Sequence, residues 1–159
     1  MTRSVAHVEV TVEAAAWRGT DLRPLRRAVR LALARGRNGR SDGVEMTLLL
    51  SDDARLRTLN AVFRGMDKPT NVLAFPAAVN ARGYLGDVAI AFGAAEREAL
   101  AAGKPIAAHA AHLAVHGVLH LLGYDHVHAS EARIMEPLEI EILSELGIPD
   151  PYAGDRAAE

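Results

Sequence analysis

The sequence predicts an α+β fold, a single domain in which a small mixed sheet of four strands is packed with about five helices. Three observations carry this expectation. Half of the 159 residues are hydrophobic, so the chain can bury a core of ordinary domain size without staples. Four short segments have the apolar patterning of strands, and five longer ones have helical spacing. No linker, internal repeat or low-complexity run interrupts them beyond a general richness in alanine. Residues 1–152 are expected to form the domain, and 153–159, AGDRAAE, a frayed tail.

The elements follow in order. VAHVEVTV (5–12) alternates and reads as a strand. Asp21 is placed to cap a helix running to about Ala34, with Pro24 tolerated in its first turn. VEMTLLLS (44–51) is a buried strand, and Asp52 opens a helix to about Phe63. NVLAF (71–75) and LGDVAIAF (85–92) are two further strands, joined by a loop, PAAVNARGY, that is expected to be mobile. AAEREALAA (94–102) is a short helix. Pro105 opens a helix to Leu122, which Gly123 ends, and a last helix runs from about Ser130 to Leu146 with a kink or break at Pro137.

Composition narrows the chemistry. There is no cysteine, which excludes disulfides and thiolate metal sites, so any metal must be held by His, Asp or Glu. The start of the chain alternates and is not a signal peptide, and no apolar run approaches the roughly 18 residues of a membrane span. A cytoplasmic location is expected. The net charge of −2 is uneven: residues 1–40 hold nine arginines against three acidic residues, a balance of +6 against −8 for the remainder. A basic face within an acidic chain can hold a polyanion, or can be an ordinary solvated surface.

The helix at 105–122 is apolar around most of its circumference, so it is expected to be largely buried. Its main polar line is His109, His112, His116 and His120, at spacings that keep one face. A polar line on a buried helix should face a cavity or a site. His116 and His120 stand one turn apart, the spacing at which two imidazoles grip one ion. Gly123 lets the chain turn, which brings His126 back toward the same point. Three imidazoles on a zinc-like ion leave a fourth position open, which is the catalytic arrangement. The spacing H-x-x-x-H-x-x-G-x-x-H is also that of the metzincin metalloproteases, so a zincin-like metal-site helix is expected. Their general-base glutamate falls on Gly117 here, so the grip is kept and the peptide-cleaving base is not. A closed structural metal site and simply packed histidines are the bland alternatives. His109 and His112 read equally as core histidines or as groups around the ion or substrate, and His128 as an exposed turn residue.

HLAVHGVLHLLGYDH (112–126) closely resembles the signature of the YbeY family, bacterial metal-dependent endoribonucleases of ribosomal RNA maturation. LNAVFRGMDKPTNVLAFP (59–76), LGDVAI (85–90) and DPY (150–152) are similar to that family too. The resemblance implies one divalent ion, zinc above others, on His116, His120 and His126, with Arg64 and His116 as catalytic residues. It implies a single-strand-specific endoribonuclease acting in 3′-end maturation of small-subunit (16S) rRNA and in ribosome quality control. Its partners would be the rRNA precursor and the small ribosomal subunit or its proteins. Two rivals stand beside it: a ribosome-assembly binding factor whose metal is structural, and a metallopeptidase-like hydrolase lacking the usual glutamate.

RGMDKPTN (64–71) is turn chemistry, which accounts for Asp67, Pro69 and Thr70. Arg64 can hold two phosphate oxygens in its planar fork, and Lys68 adds a mobile charge. Arg23, Arg26, Arg27 and Arg30 form one face of the first helix and are weaker candidates for RNA binding, equally readable as a solvated face opposite Leu25, Val29 and Leu33. Aromatic content is only 4%, so a platform stacking several bases is not expected. Phe63, Phe75 and Phe92 read as core, as do Met135 and Tyr124, although Met135 could floor the metal and Tyr124 could meet a base. Glu131, Glu139 and Glu145 read as solvated surface.

Overall fold

Four strands, β1 (His7–Val12), β2 (Glu45–Ser51), β3 (Val72–Pro76) and β4 (Tyr84–Ala91), form one sheet in the order β1-β2-β4-β3. The structure, a computed structural model, describes residues 6–37, 43–124 and 129–153. β1, β2 and β4 run parallel, and β3 closes one edge antiparallel to β4. Among the described residues, five helices, α1 (Arg23–Gly36), α2 (Asp53–Arg64), α3 (Phe92–Ala102), α4 (Ile106–Leu121) and α5 (Ala129–Glu145), and one 3-10 turn at Ala15–Gly19 complete it. The expected α+β class and the mixed four-stranded sheet are therefore present.

The period-2 pattern of the strands decides what covers each face. Met46, Leu48 and Leu50 of β2 and Val88 and Ile90 of β4 share one face, buried against Leu25, Val29 and Leu33 of α1 and Val115, Val118 and Leu119 of α4. Each such side chain, fully buried, contributes about 1.5–3 kcal/mol. Leu73, Ala89 and Ala91 point to the opposite face, where Leu56 of α2 covers them in a smaller cluster. α4 thus lies inside the molecule, between the sheet and α1, α3 and α5.

The helix ends follow local chemistry. Asp52 accepts a hydrogen bond from the Arg55 backbone N–H at 2.8 Å, and Gly65 ends α2 in the left-handed region at φ 67°. Asp21 acts one residue earlier than a cap: Leu22 is the N-cap, and the Asp21 carboxylate accepts the Arg23 N–H at 3.0 Å and pairs with its guanidinium. Gly123, at φ 101°, turns the chain after α4 and lets the Tyr124 N–H reach the Leu119 carbonyl at 3.0 Å.

Three expectations change. The loop at 76–84, expected to be mobile, is tied through Asn80, which donates to the Ala78 and Tyr84 carbonyls and accepts from the Arg82 and Tyr84 N–H groups. Of the kink or break expected at Pro137 the break is not made, because Pro137 lies inside α5, which continues past it. Phe63 is not core: it is 67% exposed, because the apolar cluster beneath α2 is small and offers it only the Phe75 ring at the sheet edge. Phe75 and Phe92 are half-buried, Phe92 meeting Trp17 edge-on. Tyr124 and Met135 are packed as expected. Among the described residues no helix is long and apolar enough to cross a membrane. Residues 154–159, and with them most of the expected tail, lie outside the described residues.

The tightest backbone approach in the sheet is at Gly86, at φ 132°, where a Cβ would stand 2.1 Å from the Phe75 carbonyl oxygen. Both the angle and the neighbouring backbone exclude a side chain. Gly86→Ala is expected to lower unfolding stability by about 3 kcal/mol or more in urea denaturation, through strain and overpacking together. A loss within about 1 kcal/mol, the typical surface effect, contradicts this packing.

Candidate metal centre

The polar line of α4 meets two carboxylates brought in from neighbouring helices. His109 Nε2 lies 2.8 Å from Oε1 of Glu98 on α3, which also accepts from Asn71 Nδ2 at 3.1 Å. His112 Nε2 and His116 Nδ1 each lie 3.1 Å from the carboxylate of Glu139 on α5, and the Tyr152 hydroxyl donates to it at 3.0 Å. Glu139 is 1% exposed, contrary to its expected place on a solvated face. Burial opposes its charge, but the hydrogen bonds with His112 and His116 outweigh burial and hold the carboxyl down at about 2. It is therefore an anion at neutral pH, and a carboxylate anion only accepts hydrogen bonds.

That fixes the role of the ring nitrogen that faces it. An ionised Glu139 can only accept, so His116 carries a proton on Nδ1 and turns Nε2 the other way. His116 Nε2 and His120 Nε2 stand 3.0 Å apart, facing each other. Two nitrogens held about 2.05 Å from one tetrahedral ion would be about 3.3 Å apart, so the pair needs only a few tenths of an ångström of spreading to chelate. A carboxylate on the far nitrogen of a ligating histidine is also the usual support of such a site. The residues fit a divalent ion. Among the described residues no group of three His, Asp or Glu side chains is placed to hold one ion, and His126, the expected third ligand, lies outside the described residues, as does His128.

The pair opens onto a cleft of about 530 Å³ lined by Arg64, Asn71, His112, His116, His120 and Tyr152. Arg64 comes from the last turn of α2, on the far side of the β3 edge, so it shares one cleft with His116 and His120, two of the three expected histidines. Lys68 is exposed in the connection to β3 and does not line it. Arg23, Arg26, Arg27 and Arg30 are on α1 and none lines it, so the basic face and the cleft are separate features. Gly117 lies in the cleft wall against the sheet, where a Cβ would be 2.6 Å from Val88 and 3.2 Å from Val72. The metzincin glutamate position is thus closed by packing.

Sequence reasoning missed Glu139, Glu98, Asn71 and Tyr152. Glu139 had a signal. Met135, Ile142 and Leu143 are fully buried, and Glu139 falls in that stripe at helical spacing. A lone carboxylate in a buried apolar stripe requires donors. His109 Nδ1 and His112 Nδ1 are buried without a hydrogen-bond partner among the described residues.

The sequence profile of the family Endoribonuclease YbeY matches residues 17–147. Endoribonuclease YbeY of Rhodopseudomonas palustris strain ATCC BAA-98 / CGA009 is 49% identical over 154 residues, 92% of this chain and 80% of that protein. The protein of the same name from strain BisA53 is 57% identical over 121 residues, 71% of this chain and 70% of that one. The solution structure of TM1509 from Thermotoga maritima superposes with a TM-score of 0.60 at 21% identity, covering 95% of this chain and 93% of that chain, which shows a shared fold.

Removing the carboxylate strands its donors. Glu139→Ala is expected to cost about 3–5 kcal/mol in urea denaturation, the scale of a broken buried charge network. Tyr152→Phe, which removes one hydrogen bond to a charged group, should cost roughly 1.5–3 kcal/mol. Equal, small effects of both changes contradict a buried anion that organises the site.

Proposed function

The chain belongs to the YbeY endoribonuclease family, and on that premise we propose that it is a metal-dependent hydrolase of single-stranded RNA. The substrate we assign is the small-subunit rRNA precursor, cut in 3′-end maturation and in ribosome quality control, in the cytoplasm and on or near the small subunit. The observation that carries the reading is the convergence of His116 Nε2 and His120 Nε2, 3.0 Å apart, in a cleft that Arg64 also lines.

His116, His120 and His126 would hold the ion, with zinc the best match to imidazole donors. When bound, a divalent ion supplies a Lewis acid for a phosphoryl oxygen and brings the pKa of a water toward ~7. The chain's own residues do the remainder. Glu139 keeps the His116 proton on Nδ1 and so keeps Nε2 directed at the site. Tyr152 holds Glu139 from the cleft side. Arg64 has the planar fork that binds two phosphate oxygens and balances the charge that builds on phosphorus. Gly117 leaves no room for a glutamate base, which counts against peptide cleavage. The nucleophile is then the RNA's own 2′-hydroxyl or water, and the product ends separate the two: a cyclic phosphate marks the 2′-hydroxyl.

The test is cleavage of a single-stranded RNA ending in the small-subunit 3′ sequence. Wild type, chelator-treated wild type, His116→Ala and Arg64→Ala are purified identically and compared. Cleavage should vanish with the chelator, return with zinc and be lost in His116→Ala. Arg64→Ala should lower kcat/KM about 10²–10³-fold, the scale of losing one transition-state donor. Equal cleavage by wild type and His116→Ala rejects the assignment. RNA binding without metal-dependent cleavage favours a binding factor with a structural ion.

A further inference from the structure

We propose that Phe63 is a stacking platform for one unpaired nucleobase of the RNA, a subsite next in the chain to Arg64 of the cleft. The inference rests on the RNA reading above and adds a substrate contact to it.

Phe63 is 67% exposed on the last turn of α2, and its chain neighbour Arg64 lines the cleft. The Phe75 ring on β3 lies 5.3 Å away at 57°, a tilted contact that orients Phe63 and leaves it largely open. Val62, 69% exposed, and Met66, 41% exposed, are further exposed apolar side chains of the same stretch of chain. The other aromatic rings among the described residues are committed. Trp17 is buried and donates to the Ser51 carbonyl, with Phe92 against it. Tyr84 bonds Thr47 and Asp87, Tyr124 bonds the Gly36 carbonyl, and Tyr152 bonds Glu139.

The neighbours of Phe63 favour a nucleotide over a protein surface. Arg64 is a cation at the cleft, and Lys68 is an exposed cation four residues on, in the connection that follows Gly65. An open aromatic ring with cations close to it in the chain is the pattern that binds single strands: the cations hold phosphate and the ring takes a base of any identity. One ring takes one base, so the subsite sets position along the strand and not sequence. It also requires an unpaired base, because a base within a duplex has both faces covered.

The experiment is fluorescence anisotropy with a dye-labelled single-stranded 2′-O-methyl oligonucleotide, a probe that cannot be cleaved through its 2′-oxygen. Wild type, Phe63→Leu and Phe63→Tyr are titrated with the intact probe and with a series carrying one abasic residue at each position in turn. Phe63→Leu should weaken binding about 5- to 150-fold, the measured range for one base–aromatic stack. Phe63→Tyr should bind as wild type does. One abasic position should weaken wild type by the same factor as Phe63→Leu and should not weaken Phe63→Leu further. The abasic series on wild type reports the stack without any variant having to fold. Unchanged binding by Phe63→Leu, or a loss coupled to no abasic position, overturns the Phe63 assignment while leaving the RNA reading standing. Absence of RNA binding by wild type overturns the RNA reading and this subsite with it.

Discussion

The site depends on one buried anion. Glu139 takes hydrogen bonds from His112 and His116 of α4 and from Tyr152 beyond the end of α5. A carboxylate that is 1% exposed is costly unless donors surround it, and here they do. The same bonds have a chemical consequence. An acceptor-only partner on Nδ1 fixes the tautomer of His116 and aims its other nitrogen at His120. Packing of α5 on α4 and orientation of the histidine pair are therefore one event. The DPY segment takes part through Asp150, which accepts the Tyr152 N–H at 2.8 Å, and through the Tyr152 hydroxyl.

A second constraint is how closely α4 lies on the sheet. Gly117 is buried on α4 against Val88 of β4 and Val72 of β3, so the helix axis can sit low over these two strands. The closeness places the histidine line at the β3 edge, where the last turn of α2 brings Arg64 to the same cleft. It also excludes any side chain at 117. The glutamate that a peptide-cleaving site would carry is thus displaced by packing, and an arginine supplied from across the sheet edge takes a place in the cleft. A cleft with imidazoles and a guanidinium, and with no carboxylate in its lining among the described residues, suits a phosphodiester better than an amide.

Much of this is legible in the residues. Strands and helices announce themselves by period, and the helix-boundary residues Asp52, Pro105 and Gly123 lie where the structure uses them. The histidine line is visible because imidazoles at spacings of three and four share one face of a helix that is otherwise apolar. The partners are not legible. Glu139 and Glu98 lie on other helices, and nothing local in the sequence couples them to His116 or His109. Glu139 reads as surface because other acids stand close to it along α5, although its place in the stripe of Met135, Ile142 and Leu143 points inward. Phe63 departs in the opposite direction. It continues the apolar spacing of Leu56, but burial needs something to bury against, and the cluster beneath α2 ends at Phe75.

The central claim is that His116 and His120 chelate one ion through their Nε2 atoms while Glu139 holds Nδ1 of His116. Crystals grown with zinc and measured on both sides of its absorption edge test this directly. The predicted result is an anomalous peak at about 2.0–2.1 Å from both Nε2 atoms, with the Glu139–His116 hydrogen bond retained. A peak elsewhere, or an ion bound through Nδ1 of His116 with Glu139 turned away, would contradict it.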